Sequence, residues 1–160
     1  LSIIPDSAQF SALVADAAPP DQVFELASDF AGSPERITGI EKVEVLTDGP
    51  VGVGTRFKET RIIFKREATE EMEVTEFEPP HRYRLMAESC GCRYRSDVVV
   101  TPQANGGSRL ELKFESTPLT KTAKVMSFVF RPMMKSMLKL MEKDLEDVKR
   151  AAEGRLANPV

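Results

Sequence analysis

The sequence predicts an α+β domain: a seven-stranded curved antiparallel sheet, two short helices between its first and second strands, and one long C-terminal helix. Three observations lead there. Six segments between residues 41 and 116 are rich in β-branched and aromatic residues and are separated by turn chemistry. From residue 119 onward the apolar side chains fall three or four apart instead. Ahead of both lie two proline-led starts, "PPDQVF" and "GSPERI", which open helices well because proline is tolerated in the first turn.

Taken in order, residues 8–17 ("AQFSALVADA") alternate loosely and read as a first strand that stops at Pro19-Pro20. Residues 20–30 place Val23, Phe24, Ala27 and Phe30 at helical spacing. In "GSPERI", Ser33 is the expected cap and Pro34 the first helical residue. The six strands are "EKVEVLT", "TRFKETRIIF", "EATEEMEVTEF", "HRYRLMAES", "CRYRSDVVVT" and "SRLELKFES", for which sequential antiparallel pairing is the economical topology. In the C-terminal run, Met126, Phe130, Met133, Met137, Leu140, Met141, Leu145 and Val148 form a stripe. Pro132 lies inside it and is expected to kink the helix or begin a new one. Residues 132–153 would then make a helix about 33 Å long, followed by a frayed tail over 154–160. A single domain covers residues 1–160, with its core over about 8–152, and there is no internal repeat or linker.

Gly49, Gly52 and Gly54 crowd into "DGPVGVGTRF", which raises the question of a phosphate-binding loop. Such a loop runs from a strand into a helix N-terminus, whose exposed N–H groups and dipole hold the anion. Here a strand follows, and no Gly-Lys-Ser/Thr is present. The glycines are expected to permit positive φ in a hairpin connection.

Composition narrows the classes further. Apolar residues are 41% and charged residues 29%, as in globular domains, and the net charge of −3 leaves no footprint for nucleic acid. No apolar run approaches the roughly 20 residues needed to span a bilayer. The chain begins at Leu1 rather than methionine, as expected of a trimmed start, and no stretch has the pattern of a signal peptide. Cys90 and Cys92 are too close for an unstrained disulfide, and with one histidine, His81, they cannot complete a zinc site. Reduced thiols near a hairpin, no metal, no cofactor and a cytoplasmic location are the expectations. His81 follows Pro79-Pro80 and reads as an exposed turn residue rather than a base.

The element order and three local stretches, "PPDQVFELASDF", "GPVGVGTRFKE" and "VTEFEPPHRYRL", resemble the START-like (SRPBCC) superfamily, the polyketide cyclase/dehydrase and lipid-transport group. The resemblance runs from about residue 8 to residue 152. It implies a helix-grip fold, in which the sheet wraps around the C-terminal helix and leaves a cavity for a small apolar molecule such as a lipid, quinone or polyketide. Where many relatives carry a tryptophan after the second helix, this chain has "PERITGI" and no tryptophan anywhere.

Side chains alternate across strands, so one parity in each segment faces the helix. This selects Phe57, Glu59, Arg61, Met72, Tyr83, Leu85, Tyr94, Ser96, Val98, Leu112 and Phe114 as the inner face, opposite Met126, Phe130, Met133, Met137 and Met141. Plain core packing accounts for most such positions, and that they line a ligand cavity is what the resemblance implies. Charged groups on an inner face are costly unless paired, so if this parity holds Glu59 and Arg61, with or without Glu70, form one internal network. A register one residue different turns them all to solvent, the commoner place for charged strand residues. The resulting reading is binding of a small hydrophobic ligand without chemistry. The alternative is a cyclase/dehydratase-type enzyme using carboxylate or tyrosine acid/base chemistry, with Glu59 and Tyr94 as its candidates. A second alternative is peripheral membrane or partner contact through residues 119–141, which hold five basic residues and no acidic one. The more ordinary arrangement for such a helix is an apolar face in the core and lysines in solvent.

Overall fold

The structure, a computed structural model, describes residues 7–14, 18–129 and 131–157. Strand β1 (Ser7–Val14) leads to helices α1 (Pro20–Ser28) and α2 (Ser33–Arg36). Six strands follow: β2 (Ile40–Val45), β3 (Arg56–Ile63), β4 (Arg66–Glu78), β5 (Arg82–Ser89), β6 (Cys92–Pro102) and β7 (Ser108–Pro118). The chain closes with α3 (Lys121–Val129) and α4 (Arg131–Ala157). All seven strands form one sheet in the order β1-β7-β6-β5-β4-β3-β2, antiparallel at every step. This is the expected helix-grip fold. Residues 15–17 of the expected first strand lie outside the described residues.

Three local expectations are corrected. Ser33 is the first residue of α2 rather than its cap, and its hydroxyl donates back to the Asp29 carbonyl at 3.2 Å, holding the α1–α2 corner. Gly49 and Gly54 take positive φ of 91°, but Gly52 does not. Instead the Gly52 N–H donates to Thr55 Oγ1 at 3.0 Å inside the β2–β3 connection. The last helix ends later than residue 153: α4 continues to Ala157, 27 residues or about 40 Å. The junction of α3 and α4, where Pro132 is expected to kink the helix or begin a new one, falls at residue 130, outside the described residues.

Helix α4 runs beside β1 and approaches α1 and β7. Its second half delivers Leu145, Val148 and Ala152 into the core, where they meet Val23 and Phe24 of α1 and Val100 and Leu110 of the sheet. A buried polar contact fixes the helix at this level. Asp147 is nearly inaccessible, and its Oδ2 accepts the Thr38 backbone N–H at 2.8 Å.

Candidate functional site

The inner face of the sheet changes character along the strands. The row Val100–Leu110 is buried, as is the next, Tyr83–Val98–Leu112. In the row Val74–Leu85–Ser96–Phe114 the outer pair is buried but Leu85 and Ser96 are half-buried. In the row Phe57–Met72–Ala87–Tyr94–Ser116, Met72, Tyr94 and Ser116 are half-buried, and beyond it Glu59, Glu70, Ser89 and Cys92 all are. The sheet is therefore closed at one end and open at the other, where the β3–β4 and β5–β6 turns lie.

The closed end is an aromatic cluster. Phe57 stacks on Phe30 with centroids 4.4 Å apart, and Tyr83 meets Phe24 and Phe30 edge-on. The Tyr83 hydroxyl donates to the Ala27 carbonyl at 2.7 Å, tying α1 to the sheet. Burial first, then the charges of Glu59 and Asp144, push that phenol above its ordinary value, so it stays a donor. Phe57, Tyr83, Val98 and Leu112 of the expected ligand face thus belong to the packed core. Phe114 is buried too, stacked on Tyr94 at 5.8 Å.

At the open end stands one ionic cluster. Arg61 Nε donates to Glu59, while its Nη1 and Nη2 donate to the two carboxylate oxygens of Asp144 on α4, at 3.1 and 2.7 Å. Glu70 sits directly across the ladder from Glu59. Like charges in that position repel, and three carboxylates share one guanidinium in a largely buried place. Burial alone would lower the Arg61 pKa, but its bond to Asp144 and the charges of Glu59 and Asp144 outweigh it and hold the guanidinium charged. Burial pushes the Asp144 carboxyl up to about 6 against the pull of Arg61. Burial and then the charge of Glu59 raise Glu70 as well. The cluster thus sets carboxyls raised by burial beside a guanidinium that stays charged.

The expected Glu59–Arg61 pairing is present, but its other partner is Asp144, which sequence reasoning missed. "MEKDLEDVKR" looks like the solvated face of a helix; only the reach of Arg61 from β3 gives Asp144 a partly buried partner. The only available signal was Arg61 itself, an inner-face cation needing more anionic partners than Glu59 supplies.

Other expected positions fall elsewhere. Met137 and Met141 are half-buried on α4, Met141 against the core. Met126 and Met133 are exposed, and Phe130 lies outside the described residues. Burial first, then the Cys92 thiol, push Tyr94 up to about 12, making it a proton donor rather than a base at neutral pH. His81 is exposed in its turn, and Cys90 and Cys92 are unbridged at the β5–β6 hairpin. Among the described residues no group of three or more His, Cys, Asp or Glu side chains is placed to hold a metal ion. A depression of about 540 Å³ lies on the outer face, but it is open and bordered by the surface pairs Arg56–Glu71 and Arg93–Glu88. It does not have the apolar lining of a small-molecule site.

Residues 7–153 match the family described as polyketide cyclase/dehydrase and lipid transport, and the chain belongs to that family. No curated protein matches in sequence. Among solved structures, the Zhui aromatase/cyclase from a Streptomyces is similar, with a TM-score of 0.75 and 19% identity over 96% of this chain and 98% of that one. A norcoclaurine synthase point mutant from Thalictrum flavum, in complex with a transition-state analogue, gives 0.72 and 16% over 97% and 98%. A Thermus thermophilus protein gives 0.70 and 22% over 96% and 99%. At these identities the likeness is one of fold. Among the described residues no helix is long and apolar enough to cross a membrane.

Proposed function

We propose that this protein binds a small apolar molecule bearing a carbonyl or hydroxyl group between the open end of the sheet and α4, without transforming it. The observation that carries this is the burial gradient of the inner face. Met72, Leu85, Tyr94 and Ser96 point to the helix side yet stay half-buried, because α4 lies toward β1 and α1. An apolar ligand would remove that surface from water at about 25 cal/mol per Å². Arg61 commits three of its five N–H donors to Glu59 and Asp144. Those remaining can receive a ligand oxygen, and lipid transport in the family's description agrees with a carrier.

The test is native mass spectrometry of freshly purified protein, together with titration of the neutral probe N-phenylnaphthylamine. A retained apolar molecule, or saturable probe binding weakened by Arg61→Leu, is the expected result. Neither retention nor probe binding by the parent protein would sink the proposal.

A second reading is favoured by one observation: Asp144, pushed up to about 6 by burial and paired to the Arg61 guanidinium at 2.7 Å, has the setting of a general acid/base. A cyclase/dehydratase-type reaction would then be lost on Asp144→Asn and on Glu59→Gln. Turnover of aromatic polyketide-like substrates by the parent and not by these variants would replace the carrier reading with this one.

A further inference from the structure

Helix α3 does not have the ordinary arrangement expected of an amphipathic helix. Only Ala123 is buried, while Val125, Phe128 and Val129 are 65%, 68% and 60% exposed. The helix is nonetheless held in place. The Leu119 N–H donates to the Gly91 carbonyl at 2.8 Å, and Thr120 Oγ1 accepts the Ala123 N–H at 3.0 Å at the start of the helix. A Cβ on Gly91 would stand 3.2 Å from Thr120 and 3.3 Å from Ala123, so this side of α3 is seated on the β5–β6 turn. The apolar side chains project from a fixed platform, and they are accompanied by charge of one sign. Residues 119–141 carry five basic and no acidic side chains in a chain whose net charge is −3.

A second element at the same end of the sheet repeats the pattern. The β3–β4 turn consists of Phe64 and Lys65, with φ of 51° and 64°. Glycine or asparagine would adopt these angles at less cost, and a bulky aromatic there is a strained choice. Phe64 is 55% exposed and is followed by exposed Lys65 and Arg66. Antiparallel pairing places this turn and the β5–β6 turn at one end, the open end of the cavity.

We propose that α3 and the β3–β4 turn dock on an anionic lipid surface, with Val125, Val129 and Phe64 entering the interfacial layer and Lys121, Lys124 and Lys65 meeting lipid phosphates. Exposed apolar groups flanked by lysines on two separate elements match a surface that is apolar beneath and anionic above. A second copy of this chain would instead bring the basic segment against itself. Docking rests on α3 and the turn rather than on the cavity, so either proposal can fail alone.

The experiment is flotation of the full chain with vesicles of phosphatidylcholine containing one quarter phosphatidylserine, and with phosphatidylcholine vesicles alone. Binding is expected only to the anionic vesicles. It should weaken as ionic strength rises from about 0.1 to 1 M, over which the Debye length falls from roughly 10 to 3 Å. Lys121→Gln with Lys124→Gln should weaken it about 25-fold, roughly fivefold per lysine. Val125→Asp with Val129→Asp should abolish it with an unchanged circular dichroism spectrum. Phe64→Gly relieves the strained turn, so it should keep or raise the melting temperature while weakening vesicle binding, which a purely structural Phe64 would not do. Equal binding to both vesicles, or none to either, overturns the proposal. So does a change from dimer to monomer in the aspartate variant with vesicle binding intact, because the face would then join two copies of the chain.

Discussion

Two leucines on the inner face of one sheet define the contrast within this molecule. Leu110 on β7 is buried against α1 and the second half of α4, whereas Leu85 on β5 is only half-buried. Both obey the same alternation, and both point toward the helices. The difference is what stands opposite: α4 comes down on the first and lies away from the second. An inner-face position is therefore not yet a core position. Whether it becomes core or cavity wall depends on where the covering helix runs.

The sharpest way to break this comparison is to truncate both leucines. Leu110→Ala is expected to cost about 2–5 kcal/mol, as in a close-packed core, and Leu85→Ala clearly less than 2 kcal/mol. Urea denaturation of the two variants measures both. Equal losses would mean that the open end is as solid as the closed one.

Next in size is the response of the ionic cluster to pH. In the folded chain Asp144 gives up its proton near pH 6, against about 3.9 for an unfolded aspartate. The folded state binds this proton more tightly, so the residue's contribution to stability is fully present below about pH 4 and is lost as pH rises through about 6. The stability of the parent relative to Asp144→Asn should fall across that window by at most about 3 kcal/mol. Arg61, Glu59 and Asp147 all act on this group, and a difference that stays flat or grows with pH would show that Arg61 keeps it ionised.

At the closed end, Asp147→Ala removes the acceptor of the Thr38 N–H and should cost about 1–3 kcal/mol at neutral pH by thermal or chemical denaturation. A cost near zero would mean that water replaces the carboxylate and that this contact does not set the position of α4. The smallest expected change is that of Met137→Phe. Half-buried Met137 should accept the larger ring with less than about 1 kcal/mol of destabilisation, yet weaken binding of N-phenylnaphthylamine. Overpacking of a filled core would instead cost about 1–3 kcal/mol and leave probe binding unchanged.

Local rules were enough for much of this protein. Alternation on the strands, helical spacing after residue 119 and the proline-led starts of α1 and α2 specify the elements and their order. Parity named the inner face correctly from Phe57 to Phe114, because a one-residue slip would turn every apolar side chain to solvent. The same rules could not separate Leu110 from Leu85, or the seated side of α3 from its exposed one, since both members of each pair have the same local pattern. Nor could they pick Asp144 and Asp147 out of "MEKDLEDVKR", where acidic and basic residues alternate as on any wet helix. Those assignments depend on contacts more than 80 residues apart, Arg61 with Asp144 and Thr38 with Asp147. A carboxylate becomes a buried ligand of arginine only where a distant strand presents the arginine, and tertiary packing alone brings the two together.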